Sequence, residues 1–90
     1  MIFWVYIISD TRNSLKIGVF NGFMLEFDSI INNSNIVYLR WFKNSFDGLA
    51  HKSLLNKLSY QSIKQLILNN REFTKILVSK ITNQYKRHQN

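Results

Sequence analysis

The side chains that could carry out chemistry are few in this chain. Its 90 residues contain five carboxylates, two histidines and no cysteine. Neither His51 nor His88 has an acidic residue at the spacing of metal ligands, so neither predicts a metal site. No strained Gly-x-Ser-x-Gly turn accompanies the serines, and the three glycines, Gly18, Gly22 and Gly48, are scattered. The sequence therefore indicates neither a serine hydrolase nor a phosphate-binding glycine loop.

The charged side chains point more clearly to a partner than to a reaction. The formal net charge is +7, and residues 40–90 hold ten of the twelve lysines and arginines against only Asp47 and Glu72. A half as basic as this predicts a polyanionic partner, most often nucleic acid. The alternatives are an ordinary solvated surface and a basic protein seated in a larger assembly.

Length and composition set the class of protein. Ninety residues that are 46% hydrophobic can form one folded domain with a modest core. The absence of cysteine excludes disulfides and thiolate metal sites, and nothing points to secretion. The longest apolar run, residues 1–8, is too short to cross a membrane and lacks the features of a signal peptide. We therefore expect an intracellular protein, in the cytoplasm or associated with an organelle or virus, without a membrane span.

The first half of the chain reads as strands around one helix. Ile2–Ser9 is apolar on both faces, as a buried central strand is, and a turn of about five residues leads to a second strand over Leu15–Phe20. Phe23–Ile31 has helical spacing, and Ile36–Lys43 reads as a third strand.

The second half reads as three helices. In the first, Phe46 and Asp47 resemble a hydrophobic staple and an N-cap, and Ala50, Leu54 and Leu58 form the apolar side. Ser59 can cap the second helix, whose apolar stripe is Ile63, Leu66 and Ile67. The last helix covers Arg71–His88. Its apolar side chains, expected to point toward the core, are Phe73, Ile76, Leu77, Ile81 and Tyr85. We predict an α/β (α+β) fold: a small, mainly antiparallel three-stranded sheet flanked by helices, in the order β-β-α-β-α-α plus an extra C-terminal helix.

Four segments of the chain form an ordered set of motifs. They are Trp4-Val5-Tyr6, Lys16-Ile17-Gly18, Ile36-Val37-Tyr38 with Phe42, and Leu54–Ile67 (LLNKLSYQSIKQLI). Taken in order, they resemble the two tripeptides, the third strand and the following turn and helix of the GIY-YIG nuclease superfamily, in particular of its small stand-alone bacterial domains. The resemblance covers about three quarters of the chain. It implies a GIY-YIG-like domain over residues 1–70, with residues 71–90 as a basic amphipathic helix packed on the same domain.

The resemblance also implies what the site should contain. Family members cleave phosphodiester bonds with a tyrosine that activates or orients water, assisted by a second tyrosine, an arginine and a glutamate that holds one divalent metal. Tyr6 fills the first tyrosine position, either as a relic or as an ordinary core tyrosine, and Lys16 replaces the second. The arginine is missing, because no lysine or arginine lies between Lys16 and Arg40. Lys52 stands in the glutamate position, and an ammonium cannot bind a metal ion.

The candidate site is therefore an anion-binding one, with no catalytic residue beyond the vestigial candidate Tyr6, no metal and no cofactor. We expect Lys16 and Lys52 to project toward one shallow groove and to supply the positive charge of the lost metal and arginine. Four further residues are candidates for contacts with nucleic acid: Arg40, Lys43, Lys57 and Lys64. Trp41 can stack on a base if it is exposed, although its apolar strand favours a core position. His51 reads as a surface residue.

Three functions remain open at this point. The first is a catalytically inactive GIY-YIG-like domain that binds DNA or RNA, or sits in a large nucleoprotein assembly, through its basic surface. The second is an active metal-dependent endonuclease with displaced ligands, and the third is a purely structural subunit of a large complex. The first is the reading that we prefer, with nucleic acid rather than a small-molecule substrate as the partner.

Overall fold

The architecture is a three-stranded sheet followed by three helices. The structure, a computed structural model, describes residues 2–10, 14–22 and 35–89, and for residues 83–89 it describes the backbone alone. The strands are β1 (Ile2–Ser9), β2 (Leu15–Gly22) and β3 (Ile36–Phe42), and the helices are α1 (Ser45–Lys57), α2 (Tyr60–Asn69) and α3 (Arg71–Gln89). The predicted α+β class and the antiparallel sheet are confirmed. The helix predicted over Phe23–Ile31 lies outside the described residues.

β1 is the central strand, as its two apolar faces predicted. The strand order is β2-β1-β3, and β1 pairs antiparallel with both neighbours. The hairpin between β1 and β2 closes at Asp10, whose carboxylate accepts hydrogen bonds from the backbone N–H and the hydroxyl of Ser14, each at 3.0 Å. These bonds satisfy polar groups that the turn would otherwise leave unpaired.

Alternation along β1 gives the sheet two apolar faces. The front face is defined by Phe3, Val5 and Ile7, which pack with Leu55 of α1 and Ile63 of α2. The back face is defined by Trp4, Tyr6 and Ile8; Trp4 is buried with Leu39 and with Ile81 of α3, while Tyr6 packs at the edge of that cluster. Helices α1 and α2 therefore cover the front face, and α3 packs on the back face.

A β-bulge interrupts the pairing of β1 with β3. Ile7 pairs with Tyr38 and Ile8 pairs with Ile36, which leaves Val37 as the extra residue. Because of the bulge, Val37 and its neighbour Tyr38 both join the front-face cluster, whereas Ile36 joins the back-face cluster.

The N-cap of helix α1 lies three residues before the predicted cap, Asp47, and the packing of the helix also differs from the prediction. Asn44 is the N-cap: its side-chain oxygen accepts a hydrogen bond from the Asp47 N–H at 2.8 Å, and its amide donates to the Asp47 carboxylate at 3.2 Å. Phe46, predicted as a staple, is 80% exposed. The buried residues are Gly48 and Leu55, whereas Leu54 is 55% exposed, so the predicted apolar side is wrong by about one residue in phase.

The other two helices follow the sequence more closely. Ser59 caps α2, with its hydroxyl accepting from the Ser62 N–H at 3.2 Å, and the predicted stripe of Ile63, Leu66 and Ile67 packs on the front face. In α3, Ile81 is buried and Leu77 packs beside it. Phe73 and Ile76, also predicted inward, are 47% and 52% exposed, while Thr74 takes the buried position; the Tyr85 side chain lies outside the described residues.

Candidate nucleic-acid interface

The hairpin that carries the two tripeptides brings Tyr6 directly against Gly18. The two residues are cross-strand partners, and both point to the back face. A Cβ atom on Gly18 would overlap the Tyr6 ring. The glycine of the second tripeptide is therefore required because the tyrosine ring of the first lies over its backbone. Tyr6 is partly exposed rather than buried.

Lys16 and Lys52, which were expected to share a groove, lie on opposite sides of the sheet. Lys16 is exposed on β2 and, two residues before Gly18, points to the back face. Lys52 belongs to α1, which covers the front face. The structure therefore does not bring the two ammonium groups together, because strand alternation directs Lys16 away from the helix that carries Lys52.

Lys52 also lies away from the other cations near α1. Gly48 and Leu55 mark the line along which α1 contacts the sheet, and successive residues leave a helix about 100° apart. His51 leans from that line toward β3, where it contacts Tyr38. Lys52 consequently leans the other way, toward β2.

The metal site implied by the GIY-YIG resemblance does not fit the residues present. Lys52 occupies the helix position expected for the glutamate, and its ammonium has no lone pair to offer. The Asp47 carboxylate is engaged with the helix cap through Asn44. Among the side chains that the structure describes, in residues 2–10, 14–22 and 35–82, no three of histidine, cysteine, aspartate or glutamate form a group that could hold a metal ion.

A hydrogen-bonded cluster that the sequence did not reveal lies on the front face. Tyr38 is completely buried, and its hydroxyl lies 2.9 Å from Nε2 of His51. The His51 ring also packs against Phe42, with 5.2 Å between ring centroids, and the Arg40 guanidinium lies 5.8 Å from the centre of the Phe42 ring. We call Tyr38, Arg40, Phe42 and His51 the front cluster. His51 is thus half-buried and bonded, rather than the surface residue that the sequence suggested.

Burial and Arg40 together set the protonation of the front cluster. Burial raises the pKa of Tyr38 above its ordinary value of 10.0, and a hydrogen bond and the positive charge of Arg40 oppose that rise. Burial lowers the pKa of His51 below its ordinary value of 6.5, and the charge of Arg40 lowers it further. At pH 7, His51 is therefore neutral and Tyr38 keeps its proton.

These protonation states are compatible with one direction of the Tyr38–His51 hydrogen bond. In the neutral His51 tautomer that carries its proton on Nδ1, the Tyr38 hydroxyl donates to Nε2 at 2.9 Å. Arg40 adds a positive charge near the Tyr38 oxygen, on the same face of β3. The front cluster thus joins β3 to α1.

The other predicted cations lie on or beside the helices of the front face. Lys43 follows β3, Lys57 ends α1, and the Lys64 ammonium in α2 lies 5.0 Å from the centre of the Tyr60 ring. We call the four exposed cations Arg40, Lys43, Lys57 and Lys64 the front basic surface. The other two predicted contact residues differ from these four, because Lys16 is on the back face and Lys52 is only partly exposed.

Trp41 differs from its predicted core position. It pairs with Trp4 from the edge strand β3, and 46% of its surface is exposed. Leu39, two residues earlier on the same face of β3, is the residue that is buried against α3. An edge strand has no neighbour on its outer side, which explains why an apolar residue of β3 can remain exposed.

The chain shares its fold with one solved protein of low sequence identity. No protein-family model and no curated protein sequence matches it. Its structure is similar to the solution NMR structure of the UPF0213 protein BH0048 from Bacillus halodurans, with a TM-score of 0.63 and 15% identity, over 79% of this chain and 87% of that one. At this level of identity the likeness shows that the two chains share a fold. No helix of the described residues is long and apolar enough to cross a membrane.

Proposed function

We propose that this protein is a non-catalytic GIY-YIG-like domain that binds nucleic acid, alone or within a nucleoprotein assembly, through the front basic surface. The observation that carries the proposal is the charge of the described side chains. The described side chains include nine lysines and arginines against three carboxylates, and eight of the nine cations are exposed. Such an excess attracts a polyanion and makes its binding sensitive to salt. The site of action would be inside the cell.

Arg40 is the cation best prepared for a phosphate contact. Its guanidinium packs against Phe42 and interacts with Tyr38, which is itself fixed by His51. A side chain that is already ordered loses less conformational entropy on binding than a free lysine does. Lys43 follows three residues later, so the end of β3 would offer two cations to one stretch of the phosphate backbone of a nucleic acid.

The absence of catalysis is proposed from the residues that replace the family set. Lys16 stands for the second tyrosine and Lys52 for the metal-binding glutamate, and these two are now on opposite faces of the sheet. A tyrosine hydroxyl alone, with an ordinary pKa near 10, is too weak a base for phosphodiester hydrolysis at neutral pH. The family's metal and arginine would be missing beside Tyr6, so the charge that develops on a phosphate undergoing hydrolysis there would lack the groups that neutralise it in the family.

Salt-dependent binding tests the proposal with a matched control. The double variant Arg40→Gln, Lys43→Gln should bind a labelled DNA duplex more weakly, and its plot of log affinity against log salt concentration should be less steep by roughly 1.8, or about 0.9 for each lost phosphate contact. The control is Lys75→Gln, Lys80→Gln, which removes the same charge from exposed positions of α3. The measurement is fluorescence anisotropy over a series of salt concentrations.

The control should keep most of the wild-type slope, because screening leaves only a weak effect of distant charges. Equal losses in both double variants would show that the charge matters but the front basic surface does not. A wild-type protein that binds neither DNA nor RNA at low salt would refute the proposed function and favour a structural subunit.

A further inference from the structure

A second feature of the front side is a cleft between α2 and one end of the sheet. Its volume is about 510 Å³. Ser9 at the end of β1, Leu15 at the start of β2 and Val37 near the start of β3 line it on the sheet side. Tyr60 and Lys64 line it on the helix side. This volume is in the range of pockets that hold a small organic group.

The way α2 packs leaves the cleft open. Helix α2 contacts the front face through Ile63, Leu66 and Ile67. Tyr60, Lys64 and Leu68 follow one another at intervals of four residues and so form a row that overhangs the ends of the strands. The bulge in β3 turns Val37 toward the same cleft, and bulges of this kind are common beside binding sites.

The chemistry of the cleft suits an aromatic ring joined to an anion. The Lys64 ammonium lies over one face of the Tyr60 ring, 5.0 Å from its centre, so a positive charge and an aromatic side chain occur together. Tyr60 is 49% exposed, which leaves about half of its surface open to contact. Lys64 is the one charged residue among the described lining, and no carboxylate accompanies it there.

Two polar side chains also line the cleft. The Gln61 amide and the Ser9 hydroxyl line it and make no hydrogen bond with another described residue. A carboxamide can both donate to and accept from the edge of a nucleobase, and a hydroxyl can do the same. Leu15 and Val37 supply an apolar floor below them.

We infer that this cleft holds one unpaired nucleobase of a single-stranded nucleic acid. Tyr60 stacks on the base, Lys64 contacts the adjoining phosphate, and the amide of Gln61 contacts the base edge. Bases in a duplex are stacked on each other and cannot enter, so the cleft gives a preference for single strands. The inference rests on the proposed function, because the rest of the strand would follow the front basic surface.

The test compares a labelled oligothymidylate with a hairpin duplex that has the same number of phosphates. Tyr60→Leu keeps an apolar side chain but removes the ring, and it should weaken single-strand binding about 5- to 150-fold while duplex binding changes less than about twofold. Tyr60→Phe, which keeps the ring, should bind like the wild type. Lys64→Gln should weaken single-strand binding more than the control Lys75→Gln does.

A second measurement does not depend on any variant. In a two-dimensional NMR titration of the wild-type protein with the oligothymidylate, the backbone amides of Ser9, Leu15, Val37 and Lys64 should shift. Unchanged single-strand affinity in Tyr60→Leu, or amide shifts confined to residues outside the cleft, would overturn the inference. If Arg40→Gln, Lys43→Gln still weakens binding in that case, the proposed function stands without the cleft; if the wild type binds neither probe, both fail.

Discussion

The front cluster allows a prediction about stability that depends on one hydrogen bond. His51→Ala removes the acceptor of the buried Tyr38 hydroxyl, which lies 2.9 Å from Nε2 of His51. Tyr38 has no exposed surface in the folded protein, so its hydroxyl depends on partners within the protein. Leaving a buried donor unsatisfied costs about 1–3 kcal/mol, and the ring contact between His51 and Phe42 is lost as well. We therefore expect the free energy of unfolding to fall by about 2–3 kcal/mol.

The assay is urea unfolding of the wild type, His51→Ala, Tyr38→Phe and the double variant at pH 7. Tyr38→Phe removes the hydroxyl itself, so no buried donor is left unsatisfied. This variant alone should therefore lower the free energy of unfolding by only about 0.5–1.5 kcal/mol. In the double variant no unsatisfied hydroxyl remains, and the two effects should fail to add by at least about 0.5 kcal/mol. Additive effects would refute the coupling between Tyr38 and His51 on which the order of Arg40 depends.

Three more predictions follow from other parts of the structure. Folding lowers the pKa of His51, so the unfolded protein binds more protons near pH 6 than the folded protein does. As the pH is lowered from about 6.5, the free energy of unfolding measured with urea should therefore decrease more steeply for the wild type than for His51→Gln. Gly18→Ala should cost about 1–3 kcal/mol in the same assay, because the new methyl group meets the Tyr6 ring. Leu55→Ala should cost about 2–5 kcal/mol and Leu54→Ala no more than about 0.5 kcal/mol, and equal costs would contradict the observed phase of α1.

The sheet could be predicted because its sequence signals are strong and agree with one another. Ile2–Ser9 is apolar on both faces, which only a central strand requires, and Asp10 and Ser14 form the turn that such residues favour. The cap at Ser59 likewise acts over one helical turn, so local sequence is enough to place it.

The packing of α1 could not be predicted because the helix is apolar on two sides. Leu54 and Leu55 have the same apolar side chain, and the apolar residues near them do not favour one side of the helix over the other. Periodicity cannot decide which side faces the sheet. The choice depends on Gly48, whose missing side chain lets α1 approach Phe3 closely. That contact joins residues 45 positions apart, and a local pattern does not contain it.

Only part of the arrangement of the candidate residues could be predicted, because contacts between distant residues are again not contained in a local pattern. The charges of Arg40, Lys43, Lys57 and Lys64 were evident from composition, since exposed cations need no partner to be recognised. The pairing of Lys16 with Lys52 was inferred from a resemblance, and strand alternation separates them. The sequence does not predict the buried contact of His51, because its partner Tyr38 is 13 positions away and on a different element.

The most direct measurement of the central proposal combines binding and cleavage in one experiment. The purified protein is incubated with supercoiled DNA, and separately with RNA, in the presence of Mg²⁺ or Mn²⁺, alongside Tyr6→Phe. We predict that the nucleic acid is retarded on a gel but remains intact, that added salt abolishes the retardation, and that Tyr6→Phe behaves as the wild type does. Cleavage by the wild type that Tyr6→Phe loses would contradict the proposal and show that the chain is an active nuclease.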